Sequence, residues 1–431
     1  MQKETKRSKT RLGDEPPPPP SSVHVPDLPE DLVAEILTRL PSKSVLRARA
    51  VSSAWRRITT DPVFFAAHAR RRPLEIVIHS TTAVTCPCDY PLGYHCQDDA
   101  VLDTIPVSDL QQPDRRHLIR YPNWTCKPPH RGCLVIASCE GILLLKVFSG
   151  GNYRMCNPMT RQWCELPRLP KITDPSSINE YGFYYHQASG EYRLLCRYST
   201  QMTSTTAHTF YILSAAATEP RFLSMAGVDE EVITIGDYGC VPVALHGRLH
   251  WLRWPMPCRP TGRMVVFDTE SETFHLMMLP PTPSMRVKIF AMDGQLVAAE
   301  FANTMQIDLW FLEDYANNGR WECRHQISTP PIYVQLRAAQ PDLVSRVLYT
   351  VEAGTNDGDI ILRPTNNGIV VYNVKKRTSR VVMVMEENNN STFMCHVFRE
   401  SLVQHECFKA PPSNGFPLIN STIHRLPMRT Y

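Results

Sequence analysis

A loose repeat of short β runs constrains this chain more than any other feature. Beyond about residue 73 the sequence offers short hydrophobic runs, each cut off by Gly, Asn, Asp or Pro. The clearest unit is Ser138–Leu145 (SCEGILLL), then Tyr153–Trp163 (YRMCNPMTRQW), then Glu165–Pro167 (ELP). It reads as a Gly turn, a hydrophobic strand, a second strand ending at an Asn-Pro turn, and a third strand entered by Trp163. A second unit has 181–185, 192–196 and 209–213. A third, 243–251 (VALHGRLHW), 264–268 (MVVFD) and 273–276 (TFHL), follows the order of the first closely. A fourth has 291–297, 307–312 and 320–323, and a fifth has 360–362, 369–373 and 378–383. One such sheet cannot bury both of its faces. Units recurring every roughly 45 to 60 residues can bury them on one another around an axis, leaving only short edges. The expected architecture is therefore a β-propeller over 73–405, with a Greek-key β-sandwich as the alternative. Pro73–His79 gives a further strand signal. No amphipathic helix of useful length is expected in this part. The segment 86–130, rich in Pro, Asp and His, reads as a long insertion over one face.

Ahead of these runs lies a different pattern, LPEDLVAEILTRLPSKSVLRARAVSSAWRRITTDPVFF over residues 28–65. Pro29, Pro41, Ser52 and Asp61-Pro62 punctuate three or four short helices, with Ser42 as a candidate cap for the second. Leu32, Val33, Ile36, Leu37 and Leu40 recur at helical spacing as one wide apolar stripe. About 40 residues is near the lower limit for a self-sufficient core. The surplus apolar surface must therefore pack on a partner or on the rest of the chain, and periodicity alone leaves both open.

Two resemblances follow from these residues. Leu28-Pro29-Glu30-Asp31-Leu32, Ile36-Leu37, Leu40-Pro41, Val45-Leu46-Arg47, Val51-Ser52 and Trp55-Arg56 resemble an F-box, with Ala50 as a departure where larger residues or Cys are more usual. The resemblance implies a module without chemistry of its own that docks on a Skp-type adaptor and, through it, on a cullin–RING ubiquitin ligase. It implies a docking face of Leu28, Pro29, Leu32, Ile36, Leu40, Val45 and Leu46. Val51 and Trp55 would hold the helices together, with Trp55 partly at the interface. The unit at 138–167, with Gly247, Leu249, Trp251, Phe267 and Asp268, is similar to the kelch-like associated domain of plant F-box proteins. The Gly-Gly pair of a true kelch blade is missing, so the blade number is not readable. That resemblance implies a target-binding surface carried on variable loops.

The expected organisation is mainly β with a small N-terminal α domain: a basic, Pro-rich disordered tail at 1–24, helices at 25–70, the β domain at 73–405, and a tail at 406–431. A net charge of +4 is too weak to argue for nucleic acid. No apolar run approaches the roughly 18 residues of a membrane helix, and 1–11 lacks an export core. A reduced cytoplasmic or nuclear setting is expected, with the 14 cysteines as small core residues and the sequons at Asn123, Asn390 and Asn420 as chance.

Other chemistry is weakly signalled. Cys86, Cys88, His95 and Cys96 form the best metal candidate, but the spacing is not that of a zinc finger and an ordinary loop is expected. No G-x-S-x-G, H-E-x-x-H or P-loop is present. Trp163, Trp251, Trp310 and Trp321 recur at matching positions and read as packing residues. No cofactor, metal or catalytic residue is expected. Two functions from different classes remain: a substrate receptor of a Skp–cullin–F-box ligase, or a β-propeller enzyme or carbohydrate- or peptide-binding protein with a helical cap.

Overall fold

Two turn chemistries, repeated along the chain, shape its sheets. Glu140-Gly141, His246-Gly247 and Asp293-Gly294 each close a hairpin in two residues, with φ of 47° and 81°, 50° and 70°, and 50° and 73°. Positive φ at both positions is the type I′ turn, whose twist matches the flanking strands. The second device is a four-residue loop after Asn157, Asp268 or Asn373. Asn157 Oδ1 accepts from the Met159 and Thr160 N–H groups at 3.0 and 3.3 Å. Asp268 Oδ1 accepts from Glu270 and Ser271 at 3.1 and 3.0 Å, and Asn373 Oδ1 from Lys376 at 2.8 Å. The last loop residue, Arg161, Glu272 or Arg377, takes a positive φ each time. Side-chain oxygens that satisfy loop amides make these turns self-supporting.

The computed structural model describes residues 28–409, apart from 84–96, 108–115, 123–132, 148–151, 170–177, 202–205, 226–227, 229–240, 253–261, 316–318, 340–348, 365–367, 385–394 and the single residues 283, 285, 302, 304 and 356. The expected tails at 1–24 and beyond 409, the three sequons and the Cys86–Cys96 set lie outside the described residues. Among the described residues no helix is long and apolar enough to cross a membrane.

Helices α1 (Glu30–Arg39), α2 (Ser42–Val51), α3 (Ser53–Thr59) and α4 (Pro62–Arg71) come first. Six four-stranded antiparallel blades follow. Blade 1 combines β1 (Leu74–Ala83), β2 (Gln97–Pro106) and β3 (Arg116–Pro122) with β24 (Cys395–Arg399). Blade 2 is β4 (Cys133–Cys139), β5 (Ile142–Val147), β6 (Asn152–Asn157) and β7 (Gln162–Glu165). Blade 3 is β8 (Ile178–His186), β9 (Glu191–Gln201), β10 (Thr206–Ser214) and β11 (Arg221–Leu223). Blade 4 is β12 (Val243–Leu245), β13 (Arg248–Leu252), β14 (Arg263–Asp268) and β15 (Thr273–Met278). Blade 5 is β16 (Val287–Met292), β17 (Gln295–Glu300), β18 (Gln306–Leu312) and β19 (Trp321–Ser328). Helix α5 (Pro330–Ala339) leads to blade 6, which is β20 (Tyr349–Gly354), β21 (Asp359–Pro364), β22 (Gly368–Asn373) and β23 (Thr378–Val384).

The core is a ring of inter-blade clusters. Val77 and Phe398 of blade 1 pack on Leu143 and Leu145 of blade 2, and Trp163 lies at that seam. Blade 2 packs on blade 3, blade 3 on 4, 4 on 5, and 5 on 6 in the same way. Ile361 and Ile369 of blade 6 close the circle against Ile76 and Ile78 of blade 1. The expected β-propeller is present, with six blades. Trp251 is buried between blades 3 and 4 and donates from Nε1 to the Tyr181 carbonyl at 2.9 Å. Trp321 does the same to Met278 across blades 4 and 5 at 3.0 Å. These tryptophans thus serve packing, each with its polar edge satisfied.

Two expectations are corrected. The segment 86–130 is not simply an insertion: β2 and β3 within it are strands of blade 1. A helix, α5, does occur in the β region; Pro330 and Pro331 fit its first turn, and Ile332 and Leu336, four residues apart, are buried between blades 5 and 6.

Candidate docking surface

The helical module is held by its own small core and by the propeller. Asp61 caps α4, accepting from the Val63 N–H at 2.7 Å, with Pro62 behind it. Pro29 and Pro41 precede α1 and α2, their carbonyls accepting the first helical hydrogen bonds. Ser42 is not the cap expected from sequence. It is the first residue of α2, and its buried hydroxyl donates to Glu400 of the propeller. Arg116 also pairs with Glu400, and with Glu75 at 2.6 Å. Burial alone would raise the Glu400 carboxyl, but the hydrogen bonds from Ser42 and Arg116 hold it below the usual range.

Leu37, Val45, Ala48, Phe64 and Phe65 form one cluster with Leu402, flanked by half-buried Met159 and Val403 of the propeller. The residues after β24 therefore form a strap beneath the helices. Asn157 fastens it, donating from Nδ2 to the carbonyls of Ser401 and Val403, both at 3.1 Å. Gly141 lets it pass: a Cβ there would sit 2.5 Å from Ser401 Cβ. The strap ends in a 3-10 turn, Glu406–Lys409, whose Phe408 is buried between blades 2 and 3. This turn, assigned from sequence to a tail, is thus part of the packed domain.

The expected docking residues divide into two sets. Leu28, Leu32 and Ile36 are about half exposed, at 56%, 52% and 50%. Leu32 and Ile36, four residues apart, lie along one side of α1 with Leu28 just ahead of its first turn, while Val33, Leu37 and Leu40 turn to the core. Pro29 is exposed beside Leu28. Leu40 and Leu46 are half-buried against the module core, and Val45 is completely buried within it. Val45 is therefore a core residue rather than part of the exposed face. Val51, at 73% exposed, does not clamp the helices, whereas Trp55 is only 36% exposed. Val63, also exposed, adds an apolar side chain that sequence reading missed; its place between Pro62 and two buried Phe residues gave no separate signal. Around the stripe, Glu35 bridges Arg39 and Arg71 at 2.7 and 2.9 Å, and these two arginines hold its carboxyl below the usual range.

Orientation follows from the blades. The first and third connections of blade 2, at Gly141 and Asn157, meet the strap under the helices. Connections alternate in an antiparallel sheet. Strand ends leading to the second connections and to the blade-to-blade crossovers therefore lie at the opposite face. Among the described residues, no group of three or more His, Cys, Asp or Glu is placed to hold a metal ion.

Residues 25–66 match the F-box domain, and residues 98–406 match the domain described as the F-box associated beta propeller domain. The chain belongs to the F-box-associated β-propeller family. It is 24% identical over 383 residues to F-box protein At3g07870 of Arabidopsis thaliana, covering 81% of this chain and 85% of that protein. It is 24% identical to the putative F-box/kelch-repeat protein At1g15680 of the same plant, covering 70% of this chain and 72% of that one. With F-box protein At4g19940, also from Arabidopsis thaliana, the identity is 24% and the coverage 87% and 88%. The exposed stripe of α1 therefore belongs to an F-box, and the six blades to its associated domain.

Proposed function

We propose that this protein is the substrate-recognition subunit of a Skp–cullin–F-box ubiquitin ligase. The carrying observation is the apolar side of α1, where Leu32 and Ile36, with Leu28 just ahead of the helix, are left uncovered by both the module core and the propeller. A Skp-type adaptor fits that stripe, and the cullin–RING assembly follows through the adaptor. The target protein binds at the propeller face away from the helices. The receptor supplies no acid, base or nucleophile. Its contribution is proximity: the strap fixes the helices on the blades, so a target lysine is held at high effective concentration near the charged conjugating enzyme.

The test uses the full chain co-expressed with a Skp-type adaptor. The wild-type pair should co-purify. Leu32→Asp with Ile36→Asp removes two apolar anchors worth roughly 2 kcal/mol each and places carboxylates in an apolar interface. Affinity should fall by about a thousandfold or more. Both side chains are half exposed, so the melting temperature should hold within a few degrees. Undiminished adaptor binding by a folded double variant would overturn the proposal.

A further inference from the structure

The outer strand of blade 3 leaves much of its neighbour uncovered. In blades 4, 5 and 6 the fourth strand pairs with the third along the whole of β14, β18 and β22. In blade 3, β11 reaches only Phe210, Tyr211 and Ile212 of the nine-residue β10. After β11 the chain turns away, and Met225 and Val228 pack against the cluster between blades 3 and 4. The other edge of β10 is paired with β9 throughout, from Thr206↔Gln201 to Ser214↔Arg193. The outer edge of 206–209 is therefore paired by no described strand. The register says which groups it presents. The Ala215 N–H donates to the Tyr192 carbonyl at 3.1 Å, continuing the β9–β10 register by one residue. Backbone groups alternate sides along a strand. Ala207 and Thr209 thus bond towards β9, while Thr206, His208, Phe210 and Ile212 present N–H and C=O outward. Phe210 and Ile212 meet β11; Thr206 and His208 lie beyond it. The segment carries no charge, proline or bulge of the kind that blunts an edge. It starts at the second connection of its blade, so it lies at the face away from the helices.

We propose that this edge docks an extended, uncharged segment of a partner protein as an added strand of blade 3. The inference rests on the substrate-receptor reading, which places the target at this face, and it names how the target is held. Main-chain pairing at Thr206 and His208 supplies the affinity, and side chains alternating to either side of the strand supply the selectivity. The partner residue opposite His208 falls on the side where Phe210 is buried towards blade 4. Its two neighbours fall on the side of Thr209 and Tyr211, where Phe222, against Tyr211 and 60% exposed, offers an apolar contact. β10 gives a charged residue no counter-charge along this edge. A second copy of this chain is the poorer occupant. So short an edge paired with itself buries far less than the roughly 1,200 Å² of a specific dimer.

The experiment selects a displayed library of random peptides on the full-length protein and keeps those enriched over selection on His208→Pro. Proline removes the outward N–H, and its ring blocks the approach of a strand. Synthesised peptides should bind His208→Pro about tenfold or more weakly than wild type, and His208→Ala, which keeps the N–H, within about twofold of it. On the wild type, N-methylation at alternate peptide amides should abolish binding, and methylation of the amides between them should not. That series needs no variant, so with peptides selected on the wild type alone it decides the matter if His208→Pro fails to fold. Absence of enriched peptides, methylation tolerated at every amide, or a wild-type dimer in sedimentation that His208→Pro dissolves would overturn the proposal. Co-purification of the adaptor with His208→Pro checks the ligase reading separately, because 206–209 lie away from the helices.

Discussion

Two glycines and one histidine carry the clearest consequences at the scale of single residues. Gly141 and Gly294 occupy equivalent hairpin positions, at φ of 81° and 73°. Around Gly294 a Cβ would meet nothing within 4 Å, whereas at Gly141 it would lie 2.5 Å from Ser401 Cβ and 2.6 Å from the Arg399 carbonyl oxygen. Gly294→Ala should thus cost only the left-handed strain, about 1–2 kcal/mol. Gly141→Ala adds displacement of the strap and should cost at least about 3 kcal/mol. Urea denaturation of both variants separates the two effects; equal losses would show that the strap yields freely. His250 is fully buried; its Nδ1–H donates to the Val243 carbonyl at 2.9 Å, leaving Nε2 to accept from the Tyr315 hydroxyl at 2.6 Å. Burial first, then the neighbouring His275, Arg248 and His246, lower its pKa to about 4. The unfolded imidazole titrates near 6.5, so between these values the unfolded chain binds the extra proton. The stabilisation from a neutral His250 is complete above about pH 6.5 and is lost as pH falls towards 4, a span of about 3 kcal/mol. His250→Asn keeps a donor for Val243 and should flatten that part of the stability–pH curve. An unchanged slope would show that His250 does not set it.

At the scale of elements, α1 and α2 divide docking from folding. Val45, completely buried beside Leu402, should behave as a core residue: Val45→Ala is expected to destabilise the helical module by about 2 kcal/mol. Leu32→Ala should leave stability within about 0.5 kcal/mol, because half of the side chain already faces water. Differential scanning calorimetry of the two variants measures the contrast, and a similar loss for both would contradict the division. The apolar stripe of α1 was legible in sequence because Leu32 and Ile36 repeat at helical spacing. Which apolar residues face inward was not, since that depends on α4 and on Leu402, which lies hundreds of residues away in sequence. For the same reason Leu46 and Val45 looked equivalent to Leu32. The turn signals Gly141, Asn157, Gly247 and Asp268 were fully legible, because each turn satisfies itself locally. Helix α5 escaped because it opens on two prolines and spans only ten residues, with Ile332 and Leu336 as its buried side chains and Tyr333 partly buried beside them.

On the scale of the whole molecule, the ring is closed by joining the two ends of the β domain. Blade 1 was not read as a repeat because three of its strands precede residue 123 while the fourth, β24, comes after the other five blades. β24 pairs with β1 from Leu74↔Arg399 to Ile78↔Cys395, and Phe398 is buried at the seam with blade 2. The strap follows directly, so closure of the propeller and seating of the F-box depend on consecutive residues. Three truncations separate these roles. A chain ending at residue 409 keeps both and should melt like the full protein. One ending at 399 keeps the pairing of β24 but loses Leu402 and Phe408, so the helices should release first, in a separate transition at lower temperature. One ending at 394 loses β24 itself. Removing Phe398 alone forfeits roughly 2–3 kcal/mol of burial, and the exposed inner edge of β1 becomes a template for pairing with other chains. Its melting temperature should fall by about 10 °C or more, with aggregation on heating. If the chain ending at 394 instead melts cooperatively at the full-length temperature, strand closure does not hold this propeller together, and the clusters between blades 1 to 6 suffice without it.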